Sequence, residues 1–269
     1  MRIARTITEV ERWPEGHGFV PTMGALHAGH RKLLEVAREE CARVTLSIFV
    51  NPLQFGLDED LSRYPRPIEA DLAIAEAVGI DQVFLPGVEE MYPSSPTKIH
   101  VPAITDLWEG ASRPGHFDGV ATVVAKLFGI VGAQTAYFGR KDLQQCLVVR
   151  KMVRDLSLPI SLVLVPTVRE EDGLARSSRN VYLSPEERAV APEIYATLTE
   201  IAARIRETGS NDALVAGEKR LADAGFEVDY LGYVDTRTLL PIPEYKPDSA
   251  LIVAAKLGRT RLIDNIVLE

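Results

Sequence analysis

The first 165 or so positions alternate short apolar runs with helical patterns, and this alternation limits the possible folds more than any other feature of the chain. Apolar runs at 18–20, 44–50, 82–85, 135–138 and 160–165 predict buried strands. Amphipathic stretches at 31–40, 68–78, 120–130 and 143–156 predict helices between them. Strand and helix in regular alternation build a mostly parallel sheet, because parallel neighbours need a crossover and a helix supplies it. The expected fold class is α/β, a Rossmann-like doubly wound parallel sheet with helices on both faces.

After Pro166 the pattern changes. A polar loop at 169–179 leads to Ser184-Pro185-Glu186-Glu187, a helix start with Ser as N-cap, Pro next and acids in the first turn. Helical patterns at 185–206 and 212–224 precede strands at 227–235, 249–256 and 260–267. The expected division is a Rossmann-like domain over 1–167 and a smaller C-terminal α+β domain over 168–269. A cleft between two such domains is the default ligand site.

Charge and cysteine usage exclude several classes. Acids outnumber bases 38 to 30, a formal net charge of -8, and the bases are scattered. A general nucleic-acid binder needs a basic stripe to neutralise phosphates, so none is expected as a partner. Cys41 and Cys146 are the only cysteines, both in apolar surroundings at predicted helix positions. They read as buried thiols, not as a disulfide framework. The N-terminus lacks the apolar core of a signal peptide, and no apolar run approaches the roughly 20 residues of a membrane helix. A cytoplasmic protein with no membrane partner is expected.

Four segments carry chemistry. The first is Val20-Pro21-Thr22-Met23-Gly24-Ala25-Leu26-His27-Ala28-Gly29-His30. A strand ends, a turn of small residues follows, and two histidines spaced by three open a helix on one face. The N–H groups and dipole of a helix start favour an anion, and Gly24 and Gly29 let a nucleotide approach the backbone. Imidazoles there can donate to charge developing on phosphate oxygens. A single histidine would more often cap or pack, and zinc would need further ligands that the segment does not supply.

Asn51-Pro52-Leu53-Gln54 lies at the end of the second predicted strand, where ligands of open parallel sheets bind. The amides of Asn51 and Gln54 suit a small polar substrate. Gly139-Arg140-Lys141-Asp142 also follows a strand and opens a helix. Lys141 is a compact cation suited to phosphate, Asp142 can hold a ribose hydroxyl or cap the helix, and Gln145 follows one turn later. Arg176-Ser177-Ser178-Arg179 offers hydroxyls and guanidinium groups in a loop, the chemistry of a phosphate clamp.

The histidine segment resembles the nucleotidylyltransferase superfamily, and the whole set resembles the pantothenate synthetase family. The match takes in residues 20–30, Phe49 to Phe55, Arg63-Tyr64-Pro65-Arg66, Glu90-Met91-Tyr92-Pro93, the stretch from Arg113 to Val124, Phe138 to Gln145 and Ser177-Ser178-Arg179-Asn180. The C-terminal third is matched mainly by length and style. The resemblance implies an AMP-forming acid–amine ligase. ATP would activate (R)-pantoate as pantoyl adenylate, and β-alanine would then take the acyl group, giving pantothenate, AMP and pyrophosphate.

Carried over residue by residue, the resemblance makes His30 the proton donor, with His27 and Lys141 beside it in catalysis. Met23, Gly24, Ala25, Leu26, His27, Ala28, Gly29 and His30 would line ATP. So would Gly139, Arg140, Lys141, Asp142, Val168, Arg176, Ser177, Ser178 and Arg179. Asn51, Gln54 and Gln145 would hold pantoate or β-alanine. Mg²⁺ would accompany ATP through ligands the sequence does not identify. The C-terminal domain would act as a lid, and the protein would be a homodimer. Glu69 and Asp71 are the acids to consider for the metal, but a solvated helix face is their expected setting. Arg140 stands where the family often has Glu or Gln, and Arg176 where it often has a small apolar residue; both read as rim charges or backbone contacts.

Rival readings make different demands. A transferase acting on a phosphate-bearing substrate would need a second basic cluster. A silent nucleotide-binding regulator would have lost some of His27, His30, Lys141 and Arg179, and all four are present.

Overall fold

The computed structural model describes residues 1–56 and 61–269. They gather into two compact units, one of Met1–Arg140 with Gln145–Pro166 and one of Lys141–Gln144 with Thr167–Glu269. Lys141–Gln144 thus groups with the residues from Thr167 onward.

In chain order the elements before Pro166 are β1 (Arg2–Ala4), β2 (His17–Thr22), α1 (Ala28–Glu40), β3 (Arg43–Ile48), α2 (Ile68–Val78), β4 (Gln82–Phe84), α3 (Val88–Met91), α4 (Glu109–Ser112), α5 (His116–Val131), β5 (Thr135–Gly139), α6 (Leu143–Asp155) and β6 (Ser161–Val165). The strands form one parallel sheet in the order β1-β4-β3-β2-β5-β6. Neighbouring residues of a strand face opposite sides, and the core shows both sides covered. Val20 and Tyr137 join a cluster with Leu33, Leu34 and Ala37 of α1 and Ala75 of α2. Their neighbours Phe19 and Phe138 instead meet Phe128 of α5 edge-on, at 6.3 and 6.4 Å between ring centres. The sheet is doubly wound.

From β2 the chain winds outward through β3 and β4, then returns to the other side of β2 for β5 and β6. The direction of winding therefore reverses between β2 and β5. The ladder joining these two strands ends at Phe19↔Ala136, although β2 runs on to Thr22 and β5 to Gly139. Their carboxyl-terminal residues border the crevice where ligands of such sheets bind.

Several local outcomes differ from the sequence expectations. β1 carries no apolar run, because it is a three-residue edge strand whose one partner among the described residues is β4. Cys41 ends α1 in extended conformation (φ -120°, ψ 139°) instead of lying within it. α5 starts at His116, four residues before its apolar pattern becomes regular.

The second unit contains α7 (Pro185–Val190), α8 (Glu193–Thr208), α9 (Ala213–Asp223) and the strands β7 (Phe226–Asp235), β8 (Ser249–Leu257) and β9 (Thr260–Leu268). The strands pair antiparallel in the order β7-β8-β9. The helix expected over 185–206 is two helices, broken at Pro192, whose ring removes a backbone donor. Leu251, Val253, Ala255 and Leu257 present one face of the central strand to Ile194, Leu198, Ile201 and Ile205 of α8 and Leu221 of α9. Fully burying each large aliphatic side chain contributes about 1.5–3 kcal/mol. No helix among the described residues is long and apolar enough to cross a membrane.

Candidate active site

The turn from β2 into α1 is built to hold an unusual backbone. Thr22 Oγ1 donates to the Ser47 carbonyl at 2.7 Å, tying the end of β2 to β3. Gly24 has φ +85°, and a Cβ there would lie 2.9 Å from Asp71 Oδ2. Ala25 follows with φ +51°, a left-handed conformation that costs a residue with a Cβ about 1–2 kcal/mol. The Asp71 carboxylate compensates by accepting the N–H of Ala25 at 2.9 Å and that of Leu26 at 2.7 Å.

Asp71 is fully buried. The solvated helix face expected for it is therefore corrected, and its carboxylate serves the loop. The sequence did carry the signal: Asp71 sits between Ile68, Leu72 and Ala75 on the apolar face of α2, where a buried acid must have partners.

His27 caps α1. Its Nδ1 accepts the Gly29 N–H at 3.1 Å, and His30 Nδ1 accepts the His27 N–H at 3.3 Å. With both Nδ1 atoms accepting, the neutral rings carry their protons on Nε2. The ring centres stand 4.2 Å apart. Gly29 is required by this packing, since a Cβ would come within 2.8 Å of His27 Cε1. The capping role and the donor role of His27 are compatible, because they use different nitrogens of one ring. Beside the crevice, Met23 to His30 thus combine a helix start with two imidazole donors.

Asn51 and Gln54 lie at the carboxyl end of β3, on a short 3₁₀ turn. Asn51 is 1% exposed, and its amide is fully engaged. Its Oδ1 accepts from Tyr92 Oη at 2.9 Å and from Leu53 N–H at 3.3 Å. Its Nδ2 donates to the Gly119 carbonyl at 3.0 Å and to Gln54 Oε1 at 3.1 Å. This fills the four places an amide offers. These hydrogen bonds also make Asn51 a support for Gln54. Gln54 Nε2 rests on Met23 Sδ at 3.1 Å, a weak acceptor. Gly119 permits the close packing, since a Cβ there would lie 2.3 Å from the Leu53 carbonyl oxygen. Gly139 ends β5 on the other side of the crevice, Arg140 opens the 3₁₀ turn that follows, and Gln145 is part-exposed in the first turn of α6.

In the second unit, Lys141, Ser177, Arg179 and Asn180 line one pocket with Arg261 and Asp264. Lys141 Nζ is 3.6 Å from Asp142 Oδ1. The Lys141 carbonyl accepts from Asn265 Nδ2 at 2.9 Å, which fixes the lysine's backbone to β9. Ser177 Oγ caps the turn Ser178–Tyr182 by accepting the Arg179 N–H at 3.2 Å. The Val168 carbonyl accepts the Arg176 N–H at 2.9 Å, and the Arg176 guanidinium pairs with Glu170 at 2.8 Å. The whole loop is anchored by Arg169, which binds both oxygens of buried Asp264 at 2.6 and 2.9 Å and stacks on Tyr195 at 3.7 Å. Sequence reasoning missed Asp264 and Asn265, because neither lies in a segment that reads as a site on its own.

Among the described residues no group of three or more His, Cys, Asp or Glu side chains could hold a metal ion. Mg²⁺ in nucleotide sites generally keeps several waters and takes phosphate oxygens, with only one or two protein carboxylates.

Known proteins are similar to this chain from end to end. A family model for pantoate–β-alanine ligase matches residues 2–267. The pantothenate synthetase of Thermus thermophilus is 54% identical over 272 residues, covering 99% of both chains, and that of Koribacter versatilis is 48% identical over 281 residues, covering 100% of this chain and 96% of its relative. A solved structure of the Thermus thermophilus enzyme superposes with a TM-score of 0.95, again over 99% of both chains. The pantoate–β-alanine ligase of Francisella tularensis, solved with βγ-ATP and β-alanine, superposes with a TM-score of 0.82 at 32% identity, over 99% of this chain and 97% of its own. With one family matched from end to end and relatives near half identical over their full length, the chain belongs to the pantoate–β-alanine ligase family.

Proposed function

We propose that this chain condenses (R)-pantoate with β-alanine at the expense of ATP, through pantoyl adenylate. A pantoate carboxylate oxygen attacks the α-phosphorus, the bond from that phosphorus to the bridging oxygen breaks, and pyrophosphate leaves. The β-alanine nitrogen then attacks the acyl carbon of the mixed anhydride. The acyl carbon–oxygen bond breaks, AMP leaves, and the nitrogen gives up its proton to form the amide of pantothenate.

The observation that carries this reading is the pair of imidazoles at the start of α1, each with Nδ1 accepting and the proton on Nε2, beside the β2–β5 crevice. In-line displacement at phosphorus needs placed donors and cations more than covalent catalysis. His30 is assigned as proton donor to the phosphate oxygens, with His27 next to it. Met23 to His30 and Gly139 to Asp142 are assigned to ATP, as are Val168, Arg176, Ser177, Ser178 and Arg179. Lys141 and Arg179 offer cations for phosphate charge, and Asn51, Gln54 and Gln145 are assigned to pantoate or β-alanine, with Gln54 gripping pantoate and also bordering β-alanine. Mg²⁺ would neutralise charge on the triphosphate and the departing pyrophosphate. A homodimer in the cytoplasm belongs to the same proposal.

The test is release of AMP and pyrophosphate from ATP, Mg²⁺ and D-pantoate with and without β-alanine. Continuous AMP and pantothenate formation only when the amine is present supports the reading. Turnover with a different acid, and none with pantoate, would keep the adenylation chemistry and overturn the substrate.

A further inference from the structure

The segment Glu90-Met91-Tyr92-Pro93 has no chemical role in the reaction as described. Tyr92 nevertheless reaches the substrate turn from outside it. Its hydroxyl donates to Asn51 Oδ1 at 2.9 Å, and its ring meets Phe49 edge-on at 6.0 Å. Burial pushes the pKa of its hydroxyl up to about 12, so it stays a donor at any working pH.

The direction of the Asn51 amide is set by Tyr92 together with two backbone groups that cannot reverse. The Leu53 N–H needs an acceptor and the Gly119 carbonyl needs a donor. Asn51 Oδ1 therefore faces Leu53 and Tyr92, while Nδ2 faces Gly119 and Gln54 Oε1. Because Asn51 supplies a donor to Gln54 Oε1, the Gln54 amide has one favourable orientation, with Nε2 turned away from Asn51 and onto Met23 Sδ. A substrate oxygen readily displaces a thioether from such a donor, and an N–H suits a carboxylate or hydroxyl acceptor. The Gln54 main chain is held separately: its carbonyl accepts from His116 Nδ1 at 2.8 Å, and His116 Nε2 stands 3.1 Å from Arg113 Nη1.

We propose that Tyr92 is a positioning residue for the acid substrate, acting through Asn51 to keep the Gln54 amide nitrogen turned toward it. The proposal rests on the assignment of Gln54 to pantoate. Tyr92 occupies the second lone pair of Asn51 Oδ1, so without it the Asn51 amide is held on that side by the longer Leu53 contact alone. Gln54 then samples the reversed amide, which would present an oxygen to the substrate's oxygen.

The experiment compares Tyr92→Phe, Gln54→Ala and the double variant by steady-state kinetics in ATP, pantoate and β-alanine, with thermal melting as a check on folding. Phenylalanine keeps the ring packing against Phe49. Loss of one neutral hydrogen bond corresponds to about a three- to tenfold effect. Tyr92→Phe should raise KM for pantoate by that factor and leave KM for ATP unchanged. In the Gln54→Ala background the added Tyr92→Phe change should have almost no effect, because the path it acts through is gone. If Tyr92→Phe does not fold, Asn51→Asp replaces the donor facing Gln54 with an acceptor and should raise the same KM further. An unchanged pantoate KM in Tyr92→Phe, or the full effect in both backgrounds, overturns the proposal while leaving Gln54 in its role. An unchanged pantoate KM in Gln54→Ala overturns the assignment of Gln54 and the Tyr92 proposal with it.

Discussion

Asp71→Asn tests how the turn from β2 into α1, proposed to bind ATP, is held. The carboxylate accepts two backbone N–H groups, from Ala25 at 2.9 Å and Leu26 at 2.7 Å. Asparagine keeps the shape but replaces one oxygen with an NH₂, so one of these N–H groups faces a donor. A hydrogen bond to a charged group contributes about 1.5–3 kcal/mol, and a buried donor left unsatisfied costs about 1–3 kcal/mol. The left-handed conformation of Ala25, with φ +51°, then loses part of what offsets its strain. These effects overlap, and a net loss of about 2–3 kcal/mol is expected. At about 2–4 °C per kcal/mol for a protein of this size, the melting temperature should fall by about 4–12 °C. The same change loosens the backbone before His27, so KM for ATP should rise at temperatures where the variant is fully folded. Thermal melting and ATP-saturation kinetics read the two effects. A variant that melts with the parent protein and keeps its KM for ATP would refute the argument that Asp71 holds this turn.

Three further outcomes follow from other contacts. His17 is buried at the start of β2, and burial lowers its pKa from 6.5 to about 4. The unfolded chain takes up this proton below about pH 6.5 and the folded chain only near 4. The contribution is thus fully present above 6.5 and is lost as pH falls through the window down to 4, by about 3 kcal/mol; His17→Gln should flatten the denaturation midpoint over that range, and an unchanged slope would count against it. Gly119→Ala forces a Cβ to 2.3 Å from the Leu53 carbonyl oxygen, so about 1–3 kcal/mol of overpacking cost and a raised KM for pantoate are expected together, with a normal KM counting against the proposed role of the Asn51–Gln54 turn in holding pantoate. Arg169→Ala strands the buried Asp264 carboxylate, whose side chain is 3% exposed, and should cost about 3–5 kcal/mol by chemical denaturation; a loss below about 1 kcal/mol would show that the pair is not held as described.

Much of the fold was legible because periodicity and burial coincide. The runs at 44–50, 82–85 and 135–138 became β3, β4 and β5 with small shifts at the ends, since strands buried on both faces are rich in apolar residues. β1 was not legible: an edge strand three residues long is defined by its partner β4, not by its own composition. The division of the helix at Pro192 was visible in the sequence as a proline but was outweighed by the continuous apolar period on either side.

The residues proposed to touch ligand were legible because their chemistry is local. A glycine-rich turn into a helix, two histidines three apart and a Lys-Asp pair after a strand announce themselves within a few positions. The supports were not, because each acts across the chain. Asp71 lies 45 and 46 positions from the N–H groups it holds, Tyr92 lies 41 positions from Asn51, and Asn265 lies 124 positions from Lys141. Only tertiary structure pairs them. Asn51 shows the same limit from the other side, since its residue type points to substrate chemistry while its part in supporting Gln54 is visible only in its four hydrogen bonds.

The most direct test of the adenylate route is exchange of labelled pyrophosphate into ATP with pantoate present and β-alanine absent. Reversal of the first step requires a free adenylate on the protein, so exchange should depend on pantoate and fall to near background in His30→Ala with its melting temperature unchanged. Net pantothenate synthesis with no such exchange in the parent protein, under conditions where pyrophosphate binds, would contradict a two-step route. Parent-level exchange in His30→Ala would remove that histidine from the chemistry.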